Sequence, residues 1–527
     1  MGTKTYNNYE DLLTFTRASG GHALRPVSYG DELVDDGTFD EGTVPSGWQI
    51  NTANGVLSIV NGALQARDTN GDTYIADYEL TNLKIGGIYK IEYTDSGVNT
   101  IALGSSRGDH SDIISLPATS DFHQVYVVTT KSTHYFGFRR NNGITETIDN
   151  VSVKEVLFDQ PDGTLTLFEH PENIPRVEYD ADGNRLGLLV EEARTNLIVY
   201  SDFSGGWIEV SVEPVAFNQT GPDGVANSAI TLQDNGAGGS SGSVYIQDNG
   251  ISISASTIYT ASVFVKAGNN SQIEIETRND DAIRGGLFDI STETFTPFAS
   301  ETGTIQSVGN GWYRCAVTWT SGTDTSIGLR VGFPSITRDG TNTIYLYGAQ
   351  FEEGSFPTSY IKNEGTTSGK DRSADVASIP VADFGFNTGA GTFVAEFDFL
   401  DPENDDANYV ISGGSDARII YNNANQDAWL TFDGANSVSF GALDNTGASR
   451  FKAAVAVNES ANDTATFLDG NLKGTRTLSF SLMTNLKGED LNIGNGFSSG
   501  QKLNGHIKSI QYYPRRLTNA QLQDLTS

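Results

Sequence analysis

The sequence predicts an all-β chain built from successive β-sandwiches. Three observations predict it. Apolar and polar residues alternate with period two in segment after segment, as half-buried strands require. Gly, Ser, Thr, Asn and Asp cluster between those segments, with 58 Gly in 527 residues, and such clusters make turns. Only one segment, near the C-terminal end, carries convincing helix signals. A chain of this length exceeds one core, so roughly three domains of ordinary size are expected. A hydrophobic content of 37%, with 10% aromatic residues, is enough to fill them.

The first block follows an N-terminal segment, residues 1–30, and covers residues 31–157. Tyr89, Ile91 and Tyr93 share one face of a strand, with Lys90 and Glu92 on the other. Phe122 to Val128 is apolar enough on both faces for a central strand. The block opens with ELVDDGTFDEGTVPSGW (Glu32 to Trp48) and closes with IDNVSVKEV (Ile148 to Val156). That pairing resembles the jelly-roll carbohydrate-binding modules. The resemblance implies that an acid after the opening Phe and the Asp of the closing strand, here Asp40 and Asp149, ligate a structural Ca2+.

Residues 158–195 form a connector, and the second block covers 196–363. Tyr259, Ala261, Val263 and Val265 face one way and Thr260, Ser262 and Lys266 the other, with Phe264 an exception. Ile273 and Ile275 alternate with Gln272, Glu274 and Glu276, and GWYRCAVTWT and TIYLYGAQFEEG are strands of the same kind. The last of these resembles a closing strand common in phage proteins, and the block again resembles a carbohydrate-binding jelly roll. A linker, 364–374, leads to the third block, 375–527. There Phe393, Ala395, Phe397 and Phe399 alternate against Thr392, Val394, Glu396 and Asp398, and Asp469-Gly470 suits a two-residue hairpin turn. Thr518 and Gln521 are spaced for a capping box on a short terminal helix. The ending, LNGHIKSIQYYPRRLTNAQLQDLTS, resembles the close of laminin-G and concanavalin-A-like lectin domains. The fold expected is therefore three tandem jelly-roll sandwiches, the last of concanavalin-A/laminin-G type.

Net charge is −33, from 66 acidic and 33 basic residues. Such a surface repels phosphate backbones and anionic lipid, so neither nucleic acid nor membrane insertion is expected. The one cysteine, Cys315, excludes an intrachain disulfide, and its alternation with Tyr313, Val317 and Trp319 makes it a buried thiol. The opening MGTKTYNNYED has no apolar h-region, so synthesis in a host cytoplasm without a signal peptide is expected.

Chemistry-bearing motifs are sparse. Gly238 to Gly242 spells G-x-S-x-G within NGAGGSSGS, with no helix to follow it, so it reads as a loop. The six histidines show no H-x-H or H-x-x-x-H spacing. Asp180, Asp182, Asn184 and Glu191 fall at calcium-loop positions, but Arg185 stands where the turn wants Gly. Arg107-Gly108-Asp109 is an adhesion tripeptide that chance explains. No catalytic residue is nominated and no enzyme is expected. Sandwich lectins stack sugar rings on aromatic faces, which makes Trp48, Trp207 and Trp429 the candidate stacking residues; core packing is the competing role for each, and more so for Trp312 and Trp319.

Three further segments set the context. FTRASGGHALRP (Phe15 to Pro26), IPRVEYDADGNRLGLLVEEARTNLI (Ile174 to Ile198) and SFPTSYIKNEGTTSGKDRSADVASI (Ser355 to Ile379) resemble the connectors of a modular family of bacteriophage tail and virion proteins. There the first two run together; here the first jelly roll reads as inserted between them. Arg17, Arg176 and Arg194 are placed to pair with Glu191 or Glu192, either at a packed interface or as surface pairs of little weight. The resemblance implies an external virion protein: a tail fibre or receptor-binding protein that attaches to host cell-surface polysaccharide. Partners would be other virion proteins, and by analogy the chain would be a homo-oligomer, a trimer. A head fibre or capsid decoration protein is the alternative, and a polysaccharide depolymerase the third reading.

Overall fold

The computed structural model describes residues 13–69, 74–97, 100–108, 114–118, 122–140, 146–236, 241–278, 283–400, 408–413, 417–423, 428–441, 450–496 and 502–527. The chain is all-β, and its strands form tandem sandwiches. It divides into two compact units: residues 26–164, and residues 1–25 together with 165–527.

In the unit of residues 26–164, one sheet orders the strands Trp48–Ile50, Tyr74–Leu80, His134–Arg140, Thr100–Gly104 and Ile114–Leu116. The other is built on the long strand Glu146–Phe158. Its last residues pair with residues 27–29, its middle with Ile88–Asp95, and its first residues with Ala63–Asp68. Trp48, Ile91, Tyr93, Phe136 and Phe138 fill the space between the sheets. Phe122–Val128 lies at the sheet edge against Ile88–Asp95, not at the centre, and Phe122 is exposed. Period-two patterning reports faces and cannot report how many neighbours a strand has. The opening loop reaches the closing strand through Val151 N donating to Gly37 O at 2.8 Å. Only glycine fits there, because a Cβ on Gly37 would lie 1.8 Å from Val151 O.

In the second unit, residues from Ile198 to Ile361 form a sandwich of two six-stranded sheets. One orders Ile208–Val210, Ser241–Ser252, Ser326–Thr337, Gln272–Arg278, Gly285–Asp289 and Thr294–Pro297. The other orders Ala216–Gln219, Ala229–Gln233, Thr343–Glu353, Ile258–Ala267, Trp312–Thr320 and Thr302–Gly309. Val263, Ile275, Cys315, Trp319 and Phe351 lie in the shared core. Phe264, which breaks the alternation, packs on the reverse face of the second sheet with Trp312, Tyr347, Tyr360, Leu24 and Leu167. Connector residues therefore cover that reverse face. Among the described residues, no such apolar cluster covers the reverse face of the first sheet.

The connector segments also complete the third sandwich. Thr14–Thr16 pairs with Val376–Pro380 at the edge of one seven-stranded sheet. Val177–Tyr179 and Arg185–Val190 form the edge of the other, where Arg185–Val190 pairs with Gly505–Tyr513. Phe15, Leu188 and Val190 join Phe393, Phe397 and Val455 in its core. Segments 1–30 and 158–195, expected to be separate connectors, thus lend strands to this domain. The terminal helix Asn519–Thr526 carries the expected Thr518–Gln521 capping box and sets Leu522 against Val394, Ala454 and Phe467. Asp469 and Gly470 adopt φ of 46° and 73°, the positive values a tight two-residue hairpin needs.

Candidate functional site

The three connector segments converge on one buried cluster. Arg17 donates through Nη1 to Asp375 Oδ1 at 3.1 Å, and Arg176 through Nη2 reaches both Asp375 and Glu191 Oε2, the latter at 2.9 Å. Arg372 lies 3.5 Å from the same Glu191 oxygen. All five side chains are at most 1% exposed. Ser359 donates to Glu191 through N at 2.8 Å and Oγ at 2.6 Å. Burial alone would raise the Glu191 carboxyl, but Arg372, Arg176 and the Ser359 donors outweigh it and hold it below the usual carboxylate range. Arg17 is pushed down to about 10 by desolvation and by neighbouring Arg176, against the pull of Asp375. Arg194 does pair with Glu192, at 2.5 Å and partly in solvent. In the same region Asn196 Nδ2 donates to Ala349 O and Ile361 O, and Glu352 accepts from Thr358 N and Oγ1. Each of these polar motif residues is engaged by the fold itself. This cluster positions the sandwiches and offers no group to a ligand.

The candidate binding site is the open reverse face of the middle sandwich, on strands Ser241–Ser252, Ser326–Thr337 and Gln272–Arg278. Register puts Tyr245 opposite Gly332 and Gly332 opposite Glu274. The next row is Gln247, Arg330 and Glu276; the one after is Asn249, Gly328 and Arg278. These side chains interlock across the strands. Gln247 donates to Asn249, and Arg330 Nε donates to Gln247 Oε1. Arg278 donates to Glu276 Oε1 through Nε at 3.0 Å and Nη2 at 2.8 Å, and Arg330 Nη1 lies 3.5 Å from that oxygen. The Arg330 guanidinium sits 4.0 Å from the Tyr245 ring centre. Gly332 has no side chain, and Tyr245 closes over it: a Cβ there would lie 2.5 Å from Tyr245 Cβ. Glu274 has no hydrogen-bonding partner among the described residues; burial, then repulsion from Glu276, raises it to about 6. An aromatic ring, planar amides, guanidiniums and a spare carboxylate can bind a polyol. They form no nucleophile–base pair.

The residues nominated from sequence fall elsewhere. Trp48 is 4% exposed and ringed by Phe39, Tyr78, Phe136 and Phe138 at 5.6–6.2 Å, so neither of its faces is open to a sugar. Trp207 is half-buried; its Nε1 donates to Tyr200 O at 2.8 Å and its ring packs 5.0 Å from Phe203. The side chain of Trp429, residues Gly238 to Ser240 and Asp109 lie outside the described residues. Trp312 and Trp319 are core, and Cys315 is fully buried with its thiol pushed up by desolvation. Asp40 is exposed, and Asp149 Oδ1 accepts from Asn150 N at 2.7 Å. Among the described residues no group of three His, Cys, Asp or Glu could hold a metal. In this region Asp36 Oδ2 is buried without a hydrogen-bond partner. Asp180 Oδ1 accepts from Asp182 N and Asn184 N in its own turn.

The first unit carries an open cleft of about 540 Å³ lined by Glu79, Ile85, Lys131 and Tyr135, among others. Ile85 is 67% exposed. Tyr135 OH donates to Glu79 Oε1 at 3.1 Å, and Arg107 pairs with Asp77 at 2.5 Å and Glu79 at 3.1 Å. Arg107 is thereby engaged within its own sheet and is not presented as part of an adhesion tripeptide.

No family model matches the chain, and no curated protein does. Solved structures do. The CBM40 of Ruminococcus gnavus IT-sialidase bound to α2,3-sialyllactose matches at 15% identity and TM-score 0.23, covering 27% of this chain and 84% of that one. The CBM22-1–CBM22-2 tandem of Paenibacillus barcinonensis Xyn10C matches at 11% identity and TM-score 0.21, covering 62% and 98%. Trypanosoma rangeli sialidase in complex with the inhibitor DANA matches at 10% identity and TM-score 0.22, covering 96% and 94%. At these scores the superpositions carry no argument about function.

Proposed function

We propose that this chain is a non-catalytic, glycan-binding structural protein on the outside of a bacteriophage virion, a tail fibre or receptor-binding protein. The observation that carries glycan binding is the open face with Tyr245 and Glu274 flanking Gly332 over a cross-strand ladder of Gln247, Arg330 and Glu276. Sugar recognition uses an aromatic platform beside planar hydrogen-bonding groups, and those groups are held here by one another before any ligand arrives. Weak single sites become firm attachment when many copies act together, which suits a homo-oligomer, a trimer, on a particle. The connector motifs support the virion setting by their family resemblance, and the resemblance of the first sandwich to carbohydrate-binding modules supports a structural Ca2+ at Asp40 and Asp149, with Asp36, whose buried Oδ2 has no hydrogen-bond partner, as a further donor.

Purified protein added to host cells should block adsorption of the phage that carries it, and removal of surface polysaccharide should abolish its binding to those cells. Binding to cells stripped of polysaccharide would defeat the glycan reading. Labelling of heads and not tails by antibody would move the protein to the head-fibre reading. For the cation, Ca2+ should raise the melting temperature of the wild type and leave Asp36→Asn unchanged; equal response of both would remove Asp36 from the site.

A further inference from the structure

The connector cluster holds a buried histidine that glycan binding does not use. His170 ends the strand Thr164–His170 and is fully buried. Its Nδ1 lies 3.3 Å from Phe168 O, an atom that only accepts, so Nδ1 donates and Nε2 keeps its lone pair. Arg25 Nη1 lies 3.5 Å from that Nε2. A guanidinium only donates, so the contact suits the neutral ring and not the protonated one. The charges that act on this ring repel a proton. Burial first, and then Arg25, Arg17 and Arg176, hold its pKa well below the ordinary 6.5. Arg17 Nη2 also donates to the His170 carbonyl oxygen at 3.3 Å. The carboxylates behind these arginines, Asp375 and Glu191, are taken by Arg17, Arg176 and Arg372. Lys502, another cation there, donates to Asp375 O at 2.8 Å. The adjacent acid, Glu169, is exposed on the opposite side of its strand and acts on His22.

We infer that His170 is an acid-sensitive catch on the connectors of the third sandwich. A proton on Nε2 sets two donors face to face at Arg25. It also adds positive charge where the guanidiniums of Arg17, Arg176 and Arg372 already outnumber the carboxylates of Asp375 and Glu191. That cluster anchors the strands the connectors lend: Arg17 follows Thr14–Thr16, and Glu191 follows Arg185–Val190. Protonation therefore loosens those two strands and leaves the core of the middle sandwich, which shares no residue with the cluster, in place.

The test is amide hydrogen exchange of the full chain from pH 7.5 to pH 5, read by mass spectrometry and corrected for the intrinsic pH dependence of exchange. The comparison is His170→Gln, which supplies a donor and an acceptor that do not titrate. Because the folded pKa lies below the ordinary value, the two strands are fully held above about 6.5 and lose protection as pH falls below it, by about tenfold per unit. In His170→Gln that loss should be absent, and the central strand Ile258–Ala267 should stay protected in both proteins. Equal loss in wild type and variant, or a loss spread evenly over both sandwiches, overturns the inference. Should the variant not fold, the wild type decides alone: constant protection of Thr14–Thr16 and Arg185–Val190 down to pH 5 overturns it as well.

Discussion

Replacing Asp375 by Asn should destabilise the second unit by about 3–5 kcal/mol, the cost of removing one partner from a buried ion pair. The geometry sets that scale. Asp375 receives Arg17 Nη1 at 3.1 Å, Arg176 Nη2 and the Glu191 amide at 2.9 Å, with no solvent exposure of its side chain. The native cluster holds three guanidiniums and two carboxylates, a net charge of 3 − 2 = +1. The variant would hold three against one, +2, in a site water does not reach. Asp463→Asn is the control, because Asp463 pairs with Arg516 while 52% exposed and should cost no more than about 1 kcal/mol. Urea denaturation of both, followed by tryptophan fluorescence, gives the comparison. A chain with two units need not unfold in one step, so the transition that Asp375→Asn shifts must be read by itself. Arg17→Gln combined with Asp375→Asn should cost less than the sum of the two single changes, since each removes the same contact. A cost for Asp375→Asn within about 0.5 kcal/mol of the control, on the scale of ordinary surface substitutions, would refute the reasoning that this cluster holds the connectors.

Two further changes probe other parts of the account. His506 is buried between Asp398 Oδ1 and Glu178 Oε2, each 2.7 Å away; burial opposes its charge, but those two hydrogen bonds raise it to about 10. Because the folded value lies above the ordinary 6.5, its stabilisation is complete below about 6.5 and is lost as pH rises through about 10. The wild type should therefore lose its advantage over His506→Gln in urea between pH 6 and pH 10.5, and a constant difference would rule this out. Trp48→Ala should cost about 3–5 kcal/mol in the first unit, as large-to-small core changes do, without altering glycan affinity; a loss of affinity at unchanged stability would make Trp48 a sugar contact after all.

Much of the fold is legible in the chain because it is local. The rows through Tyr89, Ile275 and Phe393, the Asp469-Gly470 turn and the Thr518 cap are each written within ten residues. The connectors are only half legible. Their motifs stand out, but Thr14–Thr16 and Val177–Tyr179 are three residues long, too short to show a period. The Arg17–Asp375 contact spans 358 positions, and no local rule links residues so far apart. The binding face divides the same way. Glu274 and Glu276 are visible as the polar side of a strand whose Ile273 and Ile275 are buried. Tyr245, Gln247 and Arg330 also alternate with buried Val244, Ile246, Leu329 and Val331, but their meeting across three strands is set by long-range register, which no local pattern reports. Tryptophan is the obvious sugar-stacking residue, yet its size makes it a core residue in Trp48, Trp312 and Trp319, and a tyrosine takes the open face.

Glycan-array binding by the wild type and Tyr245→Ala, each with its melting temperature, bears most directly on the claim that the middle sandwich holds sugar on its open face. Tyr245 is only partly buried on a solvent-facing strand position, so the variant should melt with the parent and lose its glycans. Undiminished glycan capture by Tyr245→Ala would contradict the account.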